Sequence, residues 1–205
     1  MPIRLKRSNT AEDLVSLSHE YGHGIQFRSN FHPDFFKFGN AFVEVISLFF
    51  ELLSMEYFGK FPEFQESLHA YRIASFDNLA TRGDMLLFEM DVLCIWEERD
   101  HSKAQRIKAM NEKIKARFGW NEKMDIGILL DMNYLDDLVY IIGYLLAIEL
   151  LINYMQDKEW GLYLLKELIA IDLRLDSKEY YKKVLELVKP NEHLEEYKRH
   201  ILLPK

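Results

Sequence analysis

The run HEYGH places His19, Glu20 and His23 together. Two histidines four positions apart stand on one face of an α-helix, about one turn from each other, so both imidazoles can reach a single divalent cation. A glutamate beside the first histidine points at the water on such a cation rather than binding the cation itself. A hydrolytic centre of this sort needs a third protein ligand and one position left for water. Glu44 lies 21 positions after His23, inside the apolar run FVEVISLFFELL. Burying a lone carboxylate is costly and a cation is a strong partner for it, which makes Glu44 the candidate third ligand. Glu51 follows seven positions later, two turns along the same helical face. It could accept the free ring N–H of a ligand histidine and so fix that ring's tautomer and orientation. A polar edge on an amphipathic helix is the alternative for both glutamates. Two imidazoles, one carboxylate and an open position make Zn2+ the expected cofactor. The expected chemistry is hydrolysis, with Glu20 as general base: it takes a proton from the zinc-activated water and passes it to the departing amine.

Such a site needs two helices to carry it. Only nine glycines and five prolines punctuate the 205 residues, and the apolar spacing is mostly helical with few alternating runs, so the fold class reads as all-α. Asn9 or Thr10, followed by Ala11, Glu12 and Asp13, reads as a helix start that leads through Leu14, Val15, Leu17 and Ser18 into HEYGH. Asn30 to Pro33 reads as a connection and Asp34 to Phe58 as a second long helix. Further helices are predicted over Pro62 to Asn78, Arg82 to Arg99, Ser102 to Phe118, Leu129 to Met155, Lys158 to Leu173, Ser177 to Val188 and Asn191 to Leu202. Phe118 to Gly127 reads as a loop. No repeat, low-complexity linker or domain boundary is visible, so residues 1–205 read as a single helical domain.

Composition narrows the partners. The formal net charge is -7 with both signs interspersed, and there is no basic stripe of the kind a phosphate backbone requires, so no nucleic acid is expected. The apolar stretches Val43 to Leu53 and Leu138 to Leu151 are interrupted by Glu44, Glu51 and Glu149 and read as too short for a bilayer. With no apolar segment after the basic N-terminus, a cytoplasmic location and no membrane partner are expected. Cys94, the single cysteine, sits in MLLFEMDVLCIW and is expected to pack. His32, His69 and His101 have no partner at a ligand spacing and read as surface or cap residues. His193 and His200, in NEHLEEYKRH, read as parts of a solvated helix. Phe27, Phe31, Phe35, Phe36 and Phe38 suit a core, an interface or a substrate groove.

HEYGHGIQF followed by FVEVISLFFELLSMEYF resembles the thimet oligopeptidase and oligoendopeptidase F family of zinc metallopeptidases. There an HE.GH helix is followed, some twenty-odd residues on, by a glutamate ligand in a pattern like E(V/I).S..(N/F)E. Gly22 is a specific point of agreement, and NTAEDLVSLSHE is similar to the family's approach to that helix. The resemblance implies a multi-helical zincin-like catalytic domain with His19, His23 and Glu44 as zinc ligands. It also implies a metalloendopeptidase acting on oligopeptides, because the family's deep channel excludes folded proteins. The likeness is strong over residues 9 to 58 and weaker over 125 to 155, where DLVYIIGYLLAIELL is similar to the family's late helix. In that region the family uses a histidine and one or more tyrosines to hydrogen-bond the tetrahedral intermediate. No histidine lies between His101 and His193, which leaves Tyr134, Tyr140 and Tyr144 as phenol donors. Tyr140 and Tyr144, flanking Gly143, rank first. Family members carry a large helical part before the zinc helix, whereas about ten residues precede it here. The chain is accordingly expected to correspond to the C-terminal catalytic portion, with apolar faces left for a missing N-terminal segment or for self-association. The alternative is a catalytically silent helical module that binds a partner through the uncovered face.

Overall fold

A computed structural model describes residues 10–30, 43–97, 100–119, 136–172, 175, 177–189 and 193–202. Among the described residues every regular element is a helix, and the fold class is all-α. Helix α1 spans Ala11–Asn30 and opens where the sequence predicts, with Glu12 and Asp13 in its first turn, where negative charge meets the positive end of the helix dipole. Helix α2 spans Val43–Phe58. Helix α3 then runs without a break over the 36 residues Pro62–Glu97. Two helices are predicted there, separated near residues 78 to 82. A glycine inside a helix costs only about 1 kcal/mol relative to alanine, and no proline lies between, so Gly83 is carried through.

Helix α4, Lys103–Phe118, is bounded by its own chemistry. Ser102 and Gln105 form a reciprocal capping box, and Gly119 closes the other end at φ 68, a left-handed conformation that suits glycine. Helix α5 spans Asp136–Gln156, and after the cap residue Asp157 comes α6, Lys158–Ala170. Helices α7, Ser177–Leu187, and α8, Leu194–Leu202, complete the set. The predicted start at Asp34, most of the Phe118 to Gly127 loop, Tyr134, His32, Phe31, Phe35, Phe36 and Phe38 lie outside the described residues.

The chain divides into two compact units, Met1–Leu79 with Val139–Lys205, and Ala80–Leu138, a division that no linker or change of composition marks in the sequence. In the first unit α2 and α5 are the central helices. Val45, Ile46, Leu48, Phe49, Leu52 and Met55 are buried on α2, as is every residue from Leu146 to Ile152 on α5. A helix apolar on nearly all sides belongs in the middle of a core, and α1, α6, α7 and α8 supply Val15, Leu164, Val184 and Tyr197 to its walls. Leu138–Gln156 is also long and apolar enough to cross a membrane by length and composition, longer than its sequence reading, with half of the apolar window buried in the fold.

The second unit has a small core of Phe88, Val92 and Ile95 from α3 with Met110 and Ile114 from α4. Cys94 is exposed, which corrects its reading as a packing residue. The buried stripe follows positions 88, 92 and 95 at helical period, and position 94 falls off it.

Candidate metal centre

Helices α1 and α2 approach each other at two small positions. A Cβ at Gly22 would lie 2.6 Å from the Cα of Ser47 and 2.9 Å from the carbonyl oxygen of Ile46, so only glycine permits this crossing. His19 and His23 stand one turn before and one position after Gly22. Glu44, Ser47 and Glu51 stand on the facing side of α2 at intervals of three and four residues, which keeps them on one face. Gly143 of α5 packs on the same α2 turn, where an added Cβ would be 3.2 Å from the Cβ of Glu44. Three helices thus meet around the Glu44 turn, with glycines at both close approaches.

The side chains converge. Nε2 of His19 is 3.3 Å and Nε2 of His23 is 3.7 Å from Oε2 of Glu44. One ligand atom from each of the three residues falls within 4.8 Å of the others, and the rings lie edge to face with centroids 4.9 Å apart. The opposite nitrogen of each ring is occupied. Nδ1 of His19 lies 2.9 Å from Oε2 of Glu51, and Nδ1 of His23 lies 2.7 Å from the Ser47 hydroxyl. Both Nε2 atoms are therefore turned toward Glu44, whose buried Oε2 has them within ion-pair distance but makes no well-aligned hydrogen bond among the described residues.

The spacing around that oxygen tests the fit of a cation. Ligand atoms about 2.0–2.1 Å from a tetrahedral zinc stand roughly 3.4 Å apart, and the two Nε2 to Oε2 separations of 3.3 and 3.7 Å are close to that edge. A buried carboxylate needs positive charge beside it, and a cation or a proton on a neighbouring imidazole can supply that charge. The donor set of two imidazoles and a carboxylate, with side chains 15–20% exposed, suits a centre that water can still reach.

Electrostatics separate the two histidines. Burial lowers the pKa of His19, but the carboxylates of Glu44 and Glu51 outweigh it and push the value up to about 9. Without a cation, a proton on His19 serves as the positive charge between two carboxylates. His23 moves the other way. Burial holds it below the usual histidine range, against the pull of Glu44 and with the push of His19, so its ring is neutral at pH 7.

No protein-family model, curated protein or solved structure matches the chain. The residues singled out from sequence therefore stand on their placement. His19, His23, Glu44 and Glu51 come together at one point. Glu20 is partly exposed on α1, close enough for its charge to act on His23. Tyr140 and Tyr144, one turn apart on α5, part company: Tyr140 is 38% exposed, whereas Tyr144 is 6% exposed. Burial, then Tyr197 and Glu51, hold the Tyr144 phenol well above its ordinary range.

Three residues carry contacts that the sequence reading does not assign. Ser47 shares the face of Glu44 and Glu51, and its position as a polar residue in an apolar run was a usable signal. Tyr71 of α3 donates to Oε1 of Glu51 at 3.4 Å, and nothing in its local sequence marks it. His193 is the third, and its reading as a solvated residue is corrected. Its Nδ1 lies 2.6 Å from Oε2 of Glu149, a carboxylate buried on α5 that requires a partner.

Proposed function

We propose that this chain is a zinc-dependent metallopeptidase catalytic domain that hydrolyses peptide bonds of short peptides. The observation that carries the reading is the convergence of Glu44 Oε2 and two imidazole Nε2 atoms, whose Nδ1 atoms are already held, with one ligand atom of each residue within 4.8 Å of the others. His19, His23 and Glu44 would hold the zinc. When bound there, zinc supplies Lewis acidity toward a carbonyl and brings the pKa of a water to near 7.

The remaining work belongs to the protein. Glu51 and Ser47 hold the outer edges of the two rings and keep each Nε2 directed inward. Glu20 accepts the proton of the attacking water on one of its carboxylate oxygens and delivers it to the leaving amine. Tyr140, the more exposed of the two phenols beside Gly143, is the better candidate donor to a developing oxyanion. HEYGH with Glu44 at its interval supports kinship with the thimet oligopeptidase and oligoendopeptidase F family and, through it, a zincin-like arrangement and oligopeptide substrates.

Zinc content and cleavage of a quenched fluorescent peptide test the reading together. The expected result is one zinc per chain with chelator-sensitive turnover, and in Glu20→Gln a rate lower by about 10²–10⁴-fold with zinc retained. A chain that takes up no zinc ends the proposal. Exposed aromatic residues, among them Tyr21, Tyr57, Trp160 and Tyr163, support a second reading as a silent helical module that binds a partner. Stoichiometric zinc without turnover would favour that module.

A further inference from the structure

Glu51 divides its two oxygens between two helices. Oε2 meets Nδ1 of His19 on α1 at 2.9 Å, and Oε1 receives the hydroxyl of Tyr71 from α3 at 3.4 Å. The Glu51 side chain is only 11% exposed, so these contacts take the place of water. Arg72, the cation next to Tyr71 on α3, is engaged by Glu56 at 2.9 Å. A neutral phenol thus holds the outer oxygen.

The phenol is suited to that task. Burial and then the charge of Glu51 push its pKa up to about 12, so across the neutral range it keeps the proton it donates. The terminal torsion of a glutamate is broad and roughly two-fold. With one oxygen bonded to His19 and the other loose, the carboxylate plane could swing and carry the imidazole with it; with both oxygens held it cannot.

We infer that Tyr71 is a positioning residue of the metal centre, acting through Glu51 to hold the His19 ring at the angle that points its Nε2 toward Glu44 and His23. Tyr71 reaches the centre through its contact with Glu51. The inference rests on the metal-centre reading above and adds a third helix to the scaffold that orients a ligand. Its 3.4 Å contact is longer than the 2.7–2.8 Å common for O–H···O bonds, so its effect is smaller than that of Glu51 itself.

The test uses the full chain, with Tyr71→Phe and Glu51→Gln beside the parent. Zn2+ affinity is measured by competition with a chromophoric chelator, the visible spectrum is recorded with Co2+ in place of Zn2+, and thermal unfolding is followed with metal removed. Loss of an outer-shell partner typically costs about 10–100-fold in metal affinity, which is expected for Glu51→Gln; roughly three- to tenfold is expected for Tyr71→Phe. The Co2+ bands should shift in both variants, while the metal-free unfolding temperature of Tyr71→Phe stays at the parent value. Parent-like affinity and an unchanged Co2+ spectrum in Tyr71→Phe, with Glu51→Gln weakened, would overturn the inference and leave the metal centre standing. A loss of affinity that a lowered metal-free unfolding temperature fully accounts for overturns it as well. A parent chain that binds no Zn2+ removes the centre itself and the role of Tyr71 with it.

Discussion

Glu51 and Glu149 look alike in the sequence, each an acid flanked by apolar residues within a helix, and each holds a histidine in the fold. Their surroundings give them different uses. Glu149, 1% exposed, spends both oxygens on His193: Oε1 accepts its backbone N–H at 2.7 Å and Oε2 meets its Nδ1 at 2.6 Å. The pair is closed and ties the start of α8 to α5. Glu51 holds only the outer edge of His19, and the inner edge faces Glu44 and His23. A buried carboxylate is therefore no sign of a site by itself. What separates a centre from a tether is an imidazole with one nitrogen held and the other aimed at further ligand atoms.

The largest effect that would sharpen this contrast is on stability. Removing one partner of a buried charged or hydrogen-bonded pair leaves the other stranded, so Glu149→Ala is expected to cost about 3 kcal/mol in denaturant unfolding. Its zinc affinity per folded chain should match the parent. A Glu149→Ala chain that loses zinc while remaining folded would break the distinction between tether and centre.

Comparable in size is the pH dependence of the centre. His19 is raised from 6.5 to about 9 in the folded, metal-free chain, so its protonated form contributes stability that is full below pH 6.5 and disappears as pH rises through 9. In the proposed centre zinc would compete with that proton, because only the deprotonated ring can bind it. Metal-free stability should fall between pH 6.5 and 9, while zinc affinity climbs by up to about tenfold per pH unit over the same interval. Unfolding midpoints with chelator, set beside chelator-competition titrations, would reveal the opposed slopes. Parallel slopes would show that proton and cation do not share the site.

The two smaller effects concern glycines of one helix. Gly22→Ala forces a Cβ to 2.6 Å from the Ser47 Cα, and backbone cannot step aside as a flexible side chain would. A cost of about 1–3 kcal/mol is expected, with weakened zinc binding, because α1 and α2 must separate where they carry the ligands. Gly24 has nothing within 4 Å of an added Cβ, so Gly24→Ala should stabilise α1 by roughly 0.5–1 kcal/mol and leave zinc binding alone. Thermal unfolding with and without zinc checks both. Equal behaviour of the two alanines would remove the close helix crossing from the account.

Much of the centre was legible because it is written at helical spacing. His19 and His23 at four positions, and Glu44 and Glu51 at seven, lie on single faces of their helices, so a period of 3.6 is enough to group them. Ser47, polar and on the same face, is legible on the same ground. Tyr71 was not, since its place beside Glu51 depends on how α3 packs and on no local pattern. Cys94 and His193 show the same limit from the other side. An apolar neighbourhood in sequence did not bury Cys94, and a charged tail did not leave His193 in water.

Sequence by itself determined the all-α class, most helix spans and the ligand candidates, because propensity, capping and periodicity act over a few residues. Tertiary structure decided that α3 continues past Gly83, that Tyr144 turns inward while Tyr140 stays more exposed, and which buried glutamate faces a three-residue cluster rather than a single histidine. Those outcomes depend on which faces meet across long stretches of chain, and close packing, not local preference, selects among them.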